Sequence, residues 1–233
     1  MIVAAAHATT LAEDCLQRNA WICPEYVRTR WPDISAALSE HVLITVVSVA
    51  LGTLIAFPMA LLARRLPRFR GPVVGVSTAL YTIPSLAMFS LLLPFTGLAV
   101  ATVVTGLTLY SLTILVRNFL AGFDGVPEDV REAARGMGYG PGRLLFGVEL
   151  PLALPSVFAG LRVAAVSTIA LTTIGVIVGF GGLGNLISRG LNSFFKAEVF
   201  TASVLCVVLA VVADLVLLGA QRVATPWRRG ANA

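Results

Sequence analysis

GPVVGVSTALYTIPSLAMFSLLLPFTGLAVATVVTGLTLYSLTILV, residues 71–116, contains no charged side chain in 46 positions. A helix needs about 20 apolar residues to cross the hydrocarbon of a bilayer, so this stretch holds two crossings. The turn between them falls near Pro94-Phe95-Thr96-Gly97, where proline and glycine both oppose helix continuation. Working outward, Val42 to Ala63 is another uncharged run of crossing length. Pro155 to about Gly179 carries Arg162 as its only charge, and Val199 to Ala220 carries Asp214 as its only charge. Each crossing is expected to be helical, because an open strand leaves backbone groups unpaired in lipid. The expectation is an all-α membrane protein with about five transmembrane helices.

Composition agrees. Of 233 residues, 57 % are hydrophobic and 12 % charged, with a mean hydropathy of +0.88. A soluble domain carries about 25 % charged residues, so this chain cannot cover a water-facing surface, and a lipid bilayer is its expected surroundings. One membrane domain accounts for the length. The net charge of +5 would suit nucleic acid only if the cations formed one face. They sit instead in short clusters between apolar runs, so no nucleic-acid partner is expected. No Cys/His spacing of the zinc type occurs, and His7 and His41 lack ligand-like neighbours, so no metal site is expected. Cys206, inside an apolar run, reads as a small buried hydrophobe. Met1 to Ala6 is too short for a signal peptide and has no positive segment before it.

Arginine placement gives an orientation. Arg64, Arg65, Arg68 and Arg70 crowd one loop; Arg117, Arg131, Arg135 and Arg143 flank another; Arg222, Arg228 and Arg229 follow the last run. Those eleven cations fall on one side of the crossings, against five on the other: Arg18, Arg28, Arg30, Arg189 and Lys196. The richer side is expected to be cytoplasmic, which puts the N-terminus out and the C-terminus in. The domain reading is an extracytoplasmic segment over 1–40, a transmembrane domain over 41–222 with a cytoplasmic loop at about 124–151, and a cytoplasmic tail over 223–233.

That loop has a definite local pattern. Pro127 suits a first helical turn, and Glu128 and Asp129 complement the helix dipole there. Gly136 or Gly138 can end the helix in a left-handed conformation, and Gly140-Pro141-Gly142 signals a turn. Val130, Ala133, Ala134 and Met137 fall at i, i+3, i+4 and i+7 and predict one apolar stripe, with Glu128, Arg131, Glu132 and Arg135 on the other side. Pro151 and Pro155 are expected to separate the loop from the fourth crossing.

The same residues carry a resemblance. Glu132-Ala133-Ala134, then Gly138, then nine residues to Val148-Glu149-Leu150-Pro151 resembles the cytoplasmic coupling loop, E-A-A to L-P, of the membrane subunits of bacterial ABC importers. Tyr81-Thr82-Ile83-Pro84-Ser85-Leu86, Leu109 to Leu112, Val116 to Gly122, and Gly179 to Ile187 with Arg189-Gly190-Leu191 resemble permeases importing glycine betaine, carnitine, choline and related osmoprotectants. The glycine-rich run is also similar to methionine-import permeases. The resemblance spans about His41 to Arg222. It implies a permease without catalytic residues that docks a separate ATPase through Glu132, Ala133, Ala134, Gly138, Leu150 and Pro151. It further implies a second copy of the permease or a homologous permease, and an extracytoplasmic substrate-binding protein. No Gly-x-x-x-x-Gly-Lys-Ser/Thr loop is present, so no cofactor is expected in this chain, and ATP with magnesium would bind the ATPase. The alternatives are a permease for methionine or another small solute, and a standalone channel or secondary carrier. Arg162 and Asp214 alone equip a carrier poorly for ion coupling.

Three further expectations follow. Tyr81, Phe89, Phe95 and Tyr110 line the translocation path or pack, with Pro84 kinking its helix as a gate element. Arg162 and Asp214, at nearly equal depth on the fourth and fifth crossings, pair with each other; otherwise Arg162 snorkels and Asp214 finds water or a hydroxyl. Cys15 and Cys23, on the oxidising side, form a disulfide or remain free thiols.

Overall fold

The structure, a computed structural model, describes residues 15–227; His7, Arg228 and Arg229 lie outside them. No strand occurs among the described residues. The helices used below are α1 (Pro24–Thr29), α2 (Trp31–Arg65), α3 (Pro67–Thr82), α4 (Ser85–Thr96), α5 (Val100–Asp124), α6 (Glu128–Gly136), α7 (Pro141–Val178), α8 (Leu183–Asn192) and α9 (Lys196–Ala224). Among the described residues, α2, α5, α7 and α9 are long and apolar enough to cross a bilayer, and the pair α3–α4 supplies a fifth crossing if it is counted as one.

Three boundaries differ from the sequence reading. α2 starts at Trp31, well before the apolar run at Val42. Pro32 and Asp33 supply its first turn, and the polar turns that follow continue the helix. Pro94 lies inside α4, and the turn comes at Gly97, whose φ of +67° suits glycine. The expected turn is therefore present, and a further break falls at Ile83-Pro84, where Pro84 was expected to kink the helix. Ile83 is extended (φ −66°, ψ 127°), as a residue before proline prefers, and α3 ends there.

The third difference is the largest. Pro151 and Pro155 do not separate the loop from the fourth crossing: α7 runs through both. Leu145–Glu149 form a π-helical turn. A proline ring collides with the carbonyl four residues back, here that of Gly147, and a wide turn at that point moves the carbonyl aside. The helix is thus modified locally instead of ended.

The chain forms two compact units. One comprises residues 15–46 of the described chain with Ser85–Gly106 and Ile169–Ala210. Its core joins Cys23, Tyr26, Ile34, Leu183, Leu186, Ala197 and Ala202. The other comprises Val47–Pro84, Leu107–Thr168 and residues 211–227. Its core sets Ala56, Ala60 and Ala63 of α2 against Leu115, Phe119 and Phe123 of α5 and Ala153 and Val157 of α7. Small residues on α2 and α7 let the helices approach closely, which is the usual packing of helices in lipid.

Candidate functional site

α6 is a short helix with a defined start and stop. Pro127 stands at the N-cap, one position before the first turn, and Glu128 and Asp129 follow it. Of the two candidate terminators, Gly138 takes the left-handed conformation (φ +82°), and Gly136 is the last helical residue. The Gly138 N–H donates to Arg135 O at 2.9 Å and the Tyr139 N–H to Ala134 O at 3.1 Å. This pair of bonds satisfies carbonyls that the helix end would leave open.

The rotation of α6 differs from the expected one. The four stripe residues do not share an environment: Ala134 is buried, Val130 is half-buried, and Ala133 and Met137 are exposed, Met137 by 70 %. The reason is Arg131. Its side chain is only 12 % exposed and turns inward. Nε donates to Glu149 Oε1 at 3.1 Å, Nη1 to Glu128 Oε2 at 2.8 Å, and Nη2 to Phe123 O at 2.5 Å. A guanidinium with three partners on one side decides which way so short a helix faces. Glu132, Ala133, Gly136 and Met137 are left on the open face.

Glu149 is the centre of this arrangement. Its side chain is 5 % exposed. Besides Arg131, it receives both terminal nitrogens of Arg64 from the end of α2, Nη1 to Oε2 at 2.8 Å and Nη2 to Oε1. The Arg64 guanidinium also lies over the Phe123 ring, 5.4 Å from its centroid. One buried carboxylate on α7 thus ties α2 and α6 together. On the exposed side, Arg131 and then Arg135 hold the Glu128 carboxyl below its ordinary range by hydrogen bonding to its charged form. Leu150 and Pro151, the end of the motif, are half-buried in α7.

The remaining candidates fall as follows. Phe89 is fully buried, its ring against Gly106 of α5, so it packs the first unit and lines no open path within this chain. Tyr110 is buried too. Its hydroxyl donates to Ile83 O, and its ring meets that of Tyr81 edge-on at 5.9 Å. The hydroxyl supplies a partner for a carbonyl at the helix break next to Pro84. Tyr81 is 46 % exposed and Pro84 is exposed. Arg162 and Asp214 form a two-bond ion pair, Nε to Oδ1 and Nη2 to Oδ2, each 2.7 Å. Cys15 and Cys23 are joined by a disulfide with Cα atoms 5.5 Å apart. Among the described residues no group of His, Cys, Asp and Glu is placed to hold a metal.

Two features escaped the sequence reading. Glu149 stood in the motif as an unconstrained position, and only its placement between a basic loop and an apolar helix hinted that it needed a cation. His41 is fully buried in the first unit. Its Nε2 lies 3.0 Å from Ile169 O, and Nδ1 receives the Leu183 N–H at 3.3 Å. A carbonyl only accepts and an N–H only donates, so these partners assign the proton to Nε2. The Gly182 N–H donates to Glu40 Oε1 at 3.3 Å. A Cβ on Gly182 would stand 2.6 Å from the His41 Cβ, so only glycine fits there. The glycine-rich run thereby closes onto α2.

Comparison with known proteins places the chain. Residues 48–230 match the model of the family described as binding-protein-dependent transport system inner membrane component. The choline transport system permease protein OpuBB of Bacillus subtilis is 32 % identical over 87 % of this chain and 93 % of its own. The glycine betaine/carnitine/choline permease OpuCD of the same organism is 37 % identical over 82 % and 83 %. The osmoprotectant import permease OsmW of Salmonella typhimurium is 36 % identical over 80 % and 89 %. Among solved structures, the MetNI methionine ABC transporter in inward-facing form matches with a TM-score of 0.75 at 22 % identity, covering 82 % of this chain and 96 % of that one. That likeness is one of fold. With most of its length inside the family model, the chain belongs to the binding-protein-dependent transport system inner membrane components.

Proposed function

We propose that this chain is the permease of an ATP-driven importer for osmoprotectants such as glycine betaine, choline or carnitine. As a member of its family it is a non-catalytic membrane component that works with an ATPase and a substrate-binding protein. The observation that carries the substrate class is the set of relatives above 30 % identity across nearly the whole chain, whose names specify those solutes. α6 is the ATPase dock in this reading. Its open face of Glu132, Ala133, Gly136 and Met137 is small and shallow, which suits insertion into a cleft of a partner better than burial in lipid. The arginine count supports a cytoplasmic side for α6, with the N-terminus out and the C-terminus in. ATP and magnesium bind the ATPase, and a second permease, identical or homologous, completes the path.

Tyr81 and Pro84, exposed beside the break between α3 and α4, are the path residues this reading retains. The test is reconstitution of the permease, its ATPase and its binding protein in liposomes, with uptake of labelled glycine betaine, choline, carnitine and methionine. ATP-dependent accumulation of any of the first three supports the proposal. Accumulation of methionine alone overturns the substrate class, and uptake without the ATPase overturns the importer reading.

A further inference from the structure

We propose that the Arg131–Glu149 contact is the mechanical link that carries displacement of α6 into the membrane helices, with both side chains acting as positioning residues for coupled transport. The inference rests on the reading of α6 as the ATPase dock. α6 is joined covalently to α5 through Gly125-Val126-Pro127 and to α7 through Met137 to Gly140. Both connections contain glycine, and Gly138 already occupies the left-handed region, so they yield before they push. The ion pair does not run through them. It joins the middle of α6 directly to α7, and the same carboxylate passes on to Arg64 at the end of α2. Two of the three Arg131 bonds leave α6, one to Glu149 on α7 and one to Phe123 O on α5, so α6 cannot rotate or withdraw without moving those groups or breaking both bonds.

The position of Glu149 adds a second reason. It is the last residue of the π-helical turn Leu145–Glu149. A π-turn is a local widening that can shift or close without unravelling the helix on either side. Force applied to Glu149 therefore meets a part of α7 that can rotate its neighbours instead of breaking. The arginine stems on both sides are long enough to follow the carboxylate through small displacements. The arrangement is a lever with a compliant fulcrum, and its charge partners are buried enough to escape screening by salt.

The discriminating measurement is solute accumulated per ATP hydrolysed in the reconstituted transporter. Arg131→Gln breaks the link while leaving Glu149 paired with Arg64. It is expected to fold, to bind the ATPase and to hydrolyse ATP, while the ratio falls about five-fold or more, the low end of ordinary coupling free energies. Glu149→Gln in the Arg131→Gln background is expected to lower the ratio no further, since the two act through one contact. An unchanged ratio in Arg131→Gln, or a double variant that falls by the product of the two singles, overturns the proposal. If Arg131→Gln does not give monodisperse protein, Arg131→Lys, which keeps a cation on Glu149, is read instead: a ratio near the parent's supports the link, and a ratio as low as that of Glu149→Gln overturns it. Ala133→Asp on the open face separates this proposal from the reading beneath it. Normal ATPase association in that variant removes the dock itself. Lost association there, with normal coupling in Arg131→Gln, removes only the link.

Discussion

The coupling-loop helix α6 in one compact unit and the glycine-rich run in the other are fastened by different chemistry. In the unit that holds α6, a buried carboxylate ties three helices through two arginines, Arg64 and Arg131. In the unit that holds α8, the glycine-rich run is held by a neutral histidine and by backbone lying directly on backbone: a Cβ on Gly184 would stand 2.3 Å from Thr173 O. Ion pairs made by long side chains tolerate small shifts of the groups they join, because the stems re-form the contact in a new geometry. Close backbone packing tolerates none. The contrast teaches that holding strength and adjustability are separate properties, and that the fastening of α6 is the adjustable one.

The contrast predicts its own largest break. Glu149→Ala removes the shared anion, which leaves Arg64 without its carboxylate and Arg131 with only Glu128 and the Phe123 carbonyl. Losing one member of a buried ion cluster costs about 3–5 kcal/mol. The low end applies here, since the Arg64 side chain keeps 21 % exposure. Thermal unfolding in detergent should show the variant melting well below the parent. A melting point within a degree or two would mean that the centre is solvated and that charge does not hold this unit. Glu149→Leu, similar in volume, should be equally harmful, which separates lost charge from lost packing.

The matching break in the other unit is steric. Gly184→Ala adds one methyl against Thr173 backbone atoms that cannot swing away. Overpacking of this kind costs about 1–3 kcal/mol, against a helix-propensity gain of about 1 kcal/mol for replacing glycine within α8. A net loss of about 1 kcal/mol, and at most about 2, should appear as reduced thermal stability. A variant more stable than the parent would show that α8 moves freely, and the rigid half of the comparison would fall.

These two sites also show what a sequence can and cannot disclose. The crossings were readable because hydrophobic length is a local property, and so were the start of α6 at Pro127 and its stop near Gly138. The rotation of α6 was not, because Arg131 is turned inward by a carboxylate eighteen residues further on. Apolar periodicity favoured Ala133 and Met137 as the inner face, but a three-bonded arginine outweighs two small apolar contacts. Pro151 misled for a related reason: proline signals a break, and the π-turn that absorbs it has no signal of its own. The glycine run over 179–184 announced close packing without naming the partner, and His41 lies about 140 residues away in the chain. Arg162 and Asp214 stand at the other extreme. Depth along two helices brought them together on paper, and 2.7 Å separates them in the structure.

That pair gives a milder test of the same contrast. It joins α7 to α9 without a third ion-pair partner among the described residues, and both side chains remain about one-third exposed (30 % and 33 %). Asp214→Asn should therefore lower thermal stability less than Glu149→Ala does. The reciprocal exchange, Arg162→Asp with Asp214→Arg, should recover most of what either single change loses. Failure of the exchange, with both singles impaired, would mean that each residue serves a different partner.

The smallest effect belongs to the outer rim of the ionic centre. Glu128 accepts from Arg131 Nη1 at 2.8 Å and from Arg135 Nη1 at 2.9 Å, across the first and last turns of α6. Its folded pKa is depressed, chiefly by the Arg131 bond. A carboxylate of this kind stabilises the folded helix fully above its ordinary value of 4.5 and loses that contribution as pH falls through the lower, folded value. α6 should thus begin to loosen below about pH 4.5. Protease nicking or hydrogen exchange across residues 125–140, compared at pH 6 and pH 4, reads this directly. Glu128→Gln should show already at pH 6 the loosened α6 toward which the parent moves as pH falls below 4.5, and should change little on acidification. Equal loosening of the variant and the parent between those pH values would assign the effect to another group. Glu128 would then be a bystander, and the adjustable character of the unit would rest on Glu149 alone.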